Sequence, residues 1–317
     1  MINRPKVSVL MSVYNSENYL VQTIESVLNQ TFQDFEFIII DDGSQDSSFD
    51  TLKSFAAKDN RINVTSRENR GIPRTRNEML NKAQGEFIAV MDSDDIALPD
   101  RLALQVAFLQ QNPEVVCVSG AFEIIDDRGR FLTRLELPEH DDEIQRLALA
   151  GHCSIWHPCA MFRREAALKV GGYEESMPSS HDLDLWLKLG EVGKLANLKT
   201  PLLKYRLHMN SISERLGLAQ RDEGREACER AWKRRGIEGK FEAEEPWRPL
   251  DTRQSRFQFM LQYGWWAFNS GQRQTAIIYG TRAILALPFR VEGWKLLACA
   301  AVKPMPPQAT RLSKTLP

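Results

Sequence analysis

Apolar residues in the first third of the chain come in short unbroken runs, separated by longer segments in which they recur every three or four places. The runs at 7–11, 35–40 and 86–91 have the form of strands buried on both faces, and 62–65 adds a shorter one. Between them the spacing becomes helical. Leu20, Ile24, Val27 and Leu28 mark one face of a helix over 17–30, and further helices fit 50–58 and 73–83, the last followed by Gly85. Strands alternating with helices in this way predict an open, mainly parallel α/β sheet. Ligands of such sheets bind beyond the carboxyl ends of the strands. Polar residues gather at those ends here: Ser12 and Tyr14 after the first run, Asp41 and Asp42 after the second, Asp92 and Asp94 after a later one.

From 100 to 215 the pattern is less regular. A helix fits 100–111 and a strand 115–119; loops, Trp156-His157-Pro158 and a helix over 183–189 follow. Residues 221–245 are dense in charge, as expected of a solvated helix and a linker. Beyond 246, helices fit 254–269, 272–287 and 291–302. There the spacing Trp266-Ala267…Gly271…Ala276…Ala283…Pro288 resembles one tetratricopeptide-type hairpin. A single hairpin cannot bury its own face, so it is expected to pack on something else. The expected division is a sheet domain over 1–220 and a basic helical extension over 221–317.

Composition mainly removes alternatives. The chain has 317 residues, 43% hydrophobic and 26% charged, which excludes a disordered chain, a collagen-like fibre and a polytopic membrane protein. With 41 Lys and Arg against 42 Asp and Glu, a nucleic-acid binder relying on bulk basicity is not expected. No apolar stretch reaches the ~18 residues of a membrane-spanning helix. The first residues run straight into a strand, so no signal peptide is expected. Cys117, Cys153, Cys159, Cys228 and Cys299 are scattered and form no CxxC, which fits a reducing cytoplasm. Charge is nevertheless uneven: 246–317 holds ten Lys and Arg against two Asp and Glu, leaving it at +8 and the rest at −9.

Neither common glycine-rich phosphate cradle, GxGxxG or GxxxxGK[ST], is present. Asp92-Ser93-Asp94 offers another way to hold phosphate. Two carboxylates at one strand end can both reach a hard divalent cation, and Mg²⁺ or Mn²⁺ completes its shell with water and phosphate oxygens. Taken alone, that tripeptide is as often a solvated loop. Its company distinguishes it: Val7-Ser-Val-Leu-Met-Ser-Val-Tyr-Asn15, Asn29-Gln-Thr-Phe32, Ile40-Asp-Asp-Gly-Ser44, Met91-Asp-Ser-Asp-Asp95 and His181-Asp-Leu-Asp-Leu-Trp186 follow in that order. The ordered set resembles family 2 glycosyltransferases, of the nucleotide-diphospho-sugar transferase (GT-A) fold, over about residues 5–215.

The resemblance implies roles. Ser12 and Tyr14 would form the first loop of a nucleotide pocket, with Asp42 and Asp41 accepting from the base edge. An Asx turn closed by Gly43 is the structural reading of the same pair. Arg74, in the 69–76 loop, would meet a phosphate. Asp92 would lie by ribose and metal, Asp94 would be the principal metal ligand, and Asp95 reads as a helix-entry carboxylate. Asp182 would be the general base, with His181 standing where the family more often has Glu. Asp184, the rival base, reads as structural. His208, in Tyr205-Arg206-Leu-His208-Met-Asn-Ser-Ile-Ser213, would complete the metal shell, with Arg206 a further phosphate candidate. Trp156 reads as core, and His157 lies where acceptor-side residues are expected.

The implied activity is inverting, metal-dependent transfer from a nucleotide-diphospho-sugar, UDP being the commoner family choice, to a glycan or lipid-linked acceptor in surface polysaccharide or lipopolysaccharide synthesis. Two other readings stay open: a nucleotidyltransferase, which would usually show a Gly-rich basic loop after the first strand, and a catalytically degenerate nucleotide-binding protein. The basic tail, interleaved with Trp247, Trp265, Trp266, Phe268, Phe289 and Trp294, suggests either peripheral contact with an anionic membrane on the cytoplasmic side or packing of those aromatics within the protein. Nothing in the sequence sets an oligomeric state.

Overall fold

The computed structural model describes residues 4–208, 217–243 and 252–304. The strands are β1 (Val7–Val13), β2 (Phe35–Asp41), β3 (Ile62–Ser66), β4 (Phe87–Asp92), β5 (Ile96–Ala97), β6 (Val115–Ile125), β7 (Phe131–Leu135), β8 (Met161–Arg163) and β9 (Lys194–Arg206). The helices are α1 (Leu20–Leu28), α2 (Ser48–Ala56), α3 (Ile72–Lys82), α4 (Arg101–Gln111), α5 (Asp141–Leu149), α6 (Arg164–Lys169), α7 (His181–Leu189), α8 (Gly217–Arg235), α9 (Arg253–Asn269), α10 (Arg273–Ala286) and α11 (Val291–Val302).

Two compact units divide the chain. The first combines Met1–Ala121, Leu137–Lys204 and Ala219–Ala243; the second combines Phe122–Glu136, Tyr205–Leu218 and Glu244–Pro317. The division expected at 220/221 therefore falls inside α8, whose residues from 219 onward belong to the first unit. Their small side chains Ala227, Cys228 and Ala231 close a core with Ala148, Met177 and Leu187.

In the first unit the sheet runs β3-β2-β1-β4-β8-β6-β9-β5. Strands β1 to β4 are parallel, as the alternation of runs and helices predicts, whereas β8 pairs antiparallel with both β4 and β6, and β5 antiparallel with β9. The sheet is thus mixed. Strands β1, β2 and β4 are buried almost throughout because helices cover both faces, which is why they read as continuous apolar runs. Helix α1 turns Leu20, Thr23, Ile24 and Val27 inward, the 3.6-residue periodicity seen in the sequence. A single core cluster holds Leu10, Ile38, Val90, Met79, Phe162 and Trp186. Burying each such side chain contributes about 1.5–3 kcal/mol.

Strand register places the functional end. Ser12 pairs with Ile40 on one side and Asp92 on the other, and Val13 pairs with Asp41. Three strands thus deliver their terminal polar residues side by side.

In the second unit, β6 from Phe122 pairs antiparallel with β7, and α9 packs on β7, α10 and α11. Helices α9 and α11 approach closely at Gly264, where a Cβ would lie 2.3 Å from Leu296 Cδ2. Tyr279 of α10 donates its hydroxyl to the buried Asp126 Oδ2 (2.9 Å), which also accepts from Arg130 Nε (2.6 Å). The helical hairpin accordingly finds the packing partner it was expected to need.

Candidate active site

The loops after β1 and β2 lock together. Asn15, at φ 51°, turns the chain after Tyr14, donates its N–H to Ser44 Oγ (2.9 Å) and accepts from Gln45 N (2.8 Å) through its side chain. Ser12 is half-buried and Tyr14 exposed. Asp41 is buried and accepts from Ser66 Oγ (2.7 Å). Asp42 is also buried and gathers the 67–71 segment: it pairs with Arg67 and accepts from the N–H groups of Arg70 (2.9 Å) and Gly71 (3.0 Å). Asp42 thus organises the 67–71 segment through bonds distant in sequence rather than through the local Asx turn expected of it, and of about four lone-pair positions on its carboxylate it has one left to accept another N–H.

The Asp92-Ser93-Asp94-Asp95 turn is pinned from α1. Thr23 Oγ1 lies 3.0 Å from the Ser93 carbonyl and 2.7 Å from that of Asp95, and Ser16 Oγ is 2.7 Å from Ser93 Oγ. Beneath it, the buried Arg101 of α4 donates to the Val90 carbonyl (2.6 Å) and attracts Asp95 and Asp92 electrostatically. Asp95 is fully buried, deeper than a helix-entry carboxylate needs to be. Asp92 and Asp94 remain half-buried at the strand end.

Arg76 joins this turn to the helix carrying Asp182, and sequence reasoning passed it over in favour of Arg74. Arg74 points out from α3 and is exposed, while Arg76 is buried. One arm of its guanidinium donates to Asp92 Oδ1 (2.8 Å) and the other to His181 Nε2. Arginine cannot accept, so His181 Nε2 must; Nδ1 therefore carries the proton and donates to the Pro178 carbonyl (3.1 Å). Burial and the Arg76 charge hold His181 well below the ordinary histidine range, which keeps it neutral. His157, held low by burial and by Arg76, lies 3.0 Å from the Tyr173 hydroxyl through Nε2. The signal for Arg76 was present: the buried positions of α3 are Pro73, Thr75, Arg76, Met79 and Leu80, so Arg76 falls on the inward stripe.

Asp182 is half-buried in the first turn of α7, and its Oδ1 accepts from Leu183 N (2.8 Å). Burial pushes its carboxyl above the ordinary range, the Leu183 N–H and Arg76 oppose this, and Glu223 adds to it. Burial likewise raises Asp92; Arg76 pulls it back, while the charges of Asp94 and Asp182 push it up. Asp184 is fully buried and paired with Lys188 (2.6 Å), the structural role expected of it. Glu223 of α8, another residue the sequence did not single out, accepts from the N–H groups of Ser179 (2.8 Å) and Ser180 (2.9 Å) and so secures the entry to α7.

Among the described residues no three of His, Cys, Asp and Glu come together to hold an ion. His208 belongs to the second unit, two residues beyond β9, and 209–213 of its motif lie outside the described residues. Asp92 and Asp94 do fit a divalent cation: their negative charges act on each other, and a cation bridging them would relieve the unfavourable interaction. Magnesium characteristically takes one or two carboxylates together with substrate phosphates.

The family model described as Glycosyl transferase family 2 matches residues 8–171, just over half of the chain. The chain belongs to glycosyl transferase family 2. The match includes the loops after β1, β2 and β4 together with Arg76; Asp182 and His208 lie beyond it. Relatives agree that this is a glycosyltransferase. An uncharacterised glycosyltransferase of Methanocaldococcus jannaschii is 34% identical over 211 residues, 65% of this chain and 72% of its own. The O-antigen biosynthesis glycosyltransferase WbnJ of Escherichia coli is 34% identical over 212 residues, 66% of this chain and 82% of its own. Among solved structures, the mannosyltransferase PcManGT of Pyrobaculum calidifontis, in complex with GDP-Man and Mn²⁺, aligns with a TM-score of 0.53 at 18% identity, covering 95% of this chain and 81% of that one. TarS 1-349 of S. aureus in complex with UDP aligns with a TM-score of 0.53 at 18% identity, covering 93% and 90%. These neighbours identify the fold as GT-A.

Proposed function

We propose that this family 2 glycosyltransferase is inverting and metal-dependent, and that it moves a sugar from a UDP-linked donor to a hydroxyl of a growing surface polysaccharide or lipopolysaccharide. The observation that carries the reading is Arg76, which bonds Asp92 at the strand end and His181 beside Asp182 at the start of α7, with Asp92 in the electrostatic reach of both Asp94 and Asp182. Ser12, Tyr14, Asp41 and Asp42 face the nucleotide, the last with its free acceptor position toward a base N–H. Arg74, exposed at the start of α3, meets a donor phosphate. UDP is the first nucleotide to test because TarS is described with UDP, although PcManGT is described with a guanosine donor. The name of WbnJ supports the acceptor class.

Asp182 takes the proton of the acceptor hydroxyl as its oxygen forms the new bond to the anomeric carbon. The bond from that carbon to the diphosphate breaks on the opposite side, and the nucleoside diphosphate leaves with the electron pair, so configuration inverts. When bound, the divalent ion held by Asp92 and Asp94 supplies charge neutralisation for the diphosphate. Arg76, by its charge and its hydrogen bond, opposes the rise of Asp92 and, by its charge, that of Asp182. Asp182→Asn should lower transfer by about 10²–10⁴-fold while leaving metal-dependent nucleotide binding intact. Asp94→Ala should lose both. Full transfer in Asp182→Asn would remove the base assignment.

A further inference from the structure

The aromatic residues of the C-terminal segment separate into two sets. Phe268 is buried and Trp265 and Trp266 are half-buried within the second unit, where Trp265 meets Phe268 edge-on and Trp266 stacks on Tyr263. Trp247 lies outside the described residues. Phe289, in the turn between α10 and α11, is 100% exposed, and Trp294 is 53% exposed. They have company: Leu285 is 78% exposed, Val291 72% and Val302 82%.

Helix α11 carries Val291, Trp294 and Val302 on one side, and Leu285 and Phe289 lie just before it in the chain. Gly293, Leu296, Cys299 and Ala300 are its buried face. Val291, Trp294, Ala298 and Val302 are all exposed, at spacings of three, four and four residues, and so share a second, outward stripe. Only Glu292 and Lys295 are charged. A surface helix normally turns a polar face to water, and a helix that is apolar all round is normally covered on every side. Here, among the described residues, one apolar face is covered and the other is exposed. Trp294 Nε1 donates to the Pro288 carbonyl (2.9 Å), so the indole carries its N–H already paired and would take no unpaired donor into an apolar environment.

Charge selects the occupant. Residues 252–304 hold seven Lys and Arg against a single acid, Glu292. The same surface of a second copy, set symmetrically against this one, would bring like charge against like charge. An anionic bilayer complements both features, since apolar side chains enter the headgroup boundary while Lys and Arg meet lipid phosphates. None of the helices among the described residues is long and apolar enough to cross a membrane, so the contact is peripheral.

We propose that Leu285, Phe289, Val291 and Trp294, with the outward stripe of α11, form a membrane-docking surface for bilayers rich in anionic lipid. The test is flotation of the full chain with vesicles of phosphatidylglycerol and phosphatidylethanolamine, against vesicles of phosphatidylcholine alone. Wild type should float with the anionic vesicles at low salt, less as salt rises, and not with phosphatidylcholine. Phe289→Ser/Val291→Ser should reduce the bound fraction about tenfold or more without lowering Tm, since withdrawal of each apolar side chain from water contributes on that order. Val302→Ser, at the far end of the stripe, gives an independent reading in the same direction. No flotation of wild type at low salt would overturn the proposal, as would undiminished flotation of both variants. A dimer seen by sedimentation, lost in Phe289→Ser/Val291→Ser and unaccompanied by vesicle binding, would overturn it in favour of a second copy.

Discussion

Replacing Arg76 by Gln removes the cation that faces Asp92 at 2.8 Å and leaves Asp92 among the charges of Asp94 and Asp182. With charge centres ~4 Å apart and an effective dielectric of ~20, the lost attraction is about 4 kcal/mol. The Asp92 side chain is 32% exposed, so water screens part of this. Exposed pairs contribute below ~1 kcal/mol and breaking buried ones costs ~3–5 kcal/mol, which sets the expected loss at about 2–3 kcal/mol. At ~2–4 °C per kcal/mol for a unit of this size, Tm should fall by about 4–12 °C. The loss should also depend on pH in a definite sense. Asp92 titrates above its ordinary value in the folded protein, so its ionisation costs stability as pH rises through that folded pKa, and nothing below the unfolded pKa. Without Arg76 the folded pKa climbs further, and the gap between variant and wild type should widen from about pH 5 to about pH 8. Thermal melts in metal-free buffer at both pH values measure this. An equal gap at the two pH values, or no gap at all, would refute the electrostatic role given to Arg76.

Two further expectations follow from the same cluster and its loops. Asp182 must be ionised to accept a proton and is raised by burial, so kcat/KM should fall on the acid side at a pH above the ~3.9 of an ordinary aspartate; a profile flat down to about pH 4 would contradict its assignment as base. Gly43 sits at φ +81° with space for a Cβ only 2.9 Å from the Asn69 backbone N, so Gly43→Ala should destabilise by about 1–3 kcal/mol, read as a lower Tm and weaker nucleotide binding.

The parallel half of the sheet was legible because strands buried on both faces write unbroken apolar runs, and the polar residues that end those runs stand beside one another in the fold. Helix positions were sound, with ends displaced by a few residues: α7 begins at His181 rather than 183, which puts Asp182 inside the first turn. The antiparallel half was not legible. Strand β8 has three residues, too few to show a period, and β9 alternates buried and exposed positions irregularly along its thirteen. Contacts distant in sequence escaped for a different reason. Nothing local shows that Arg76 reaches both Asp92 and His181, that Glu223 holds the start of α7, or that 122–136 joins the C-terminal helices in one unit. In the tail, composition showed that aromatics and cations coexist but not which of them face outward.

The most direct test of the catalytic account is a thermal-shift panel of UDP, GDP, dTDP and CMP, each with and without Mn²⁺, on wild type and Asp94→Ala. A ligand that binds only the folded state raises Tm with its occupancy. The account predicts that UDP stabilises the wild type only when Mn²⁺ is present and leaves Asp94→Ala unmoved. Stabilisation of both proteins alike, or of neither by any nucleotide, would contradict it.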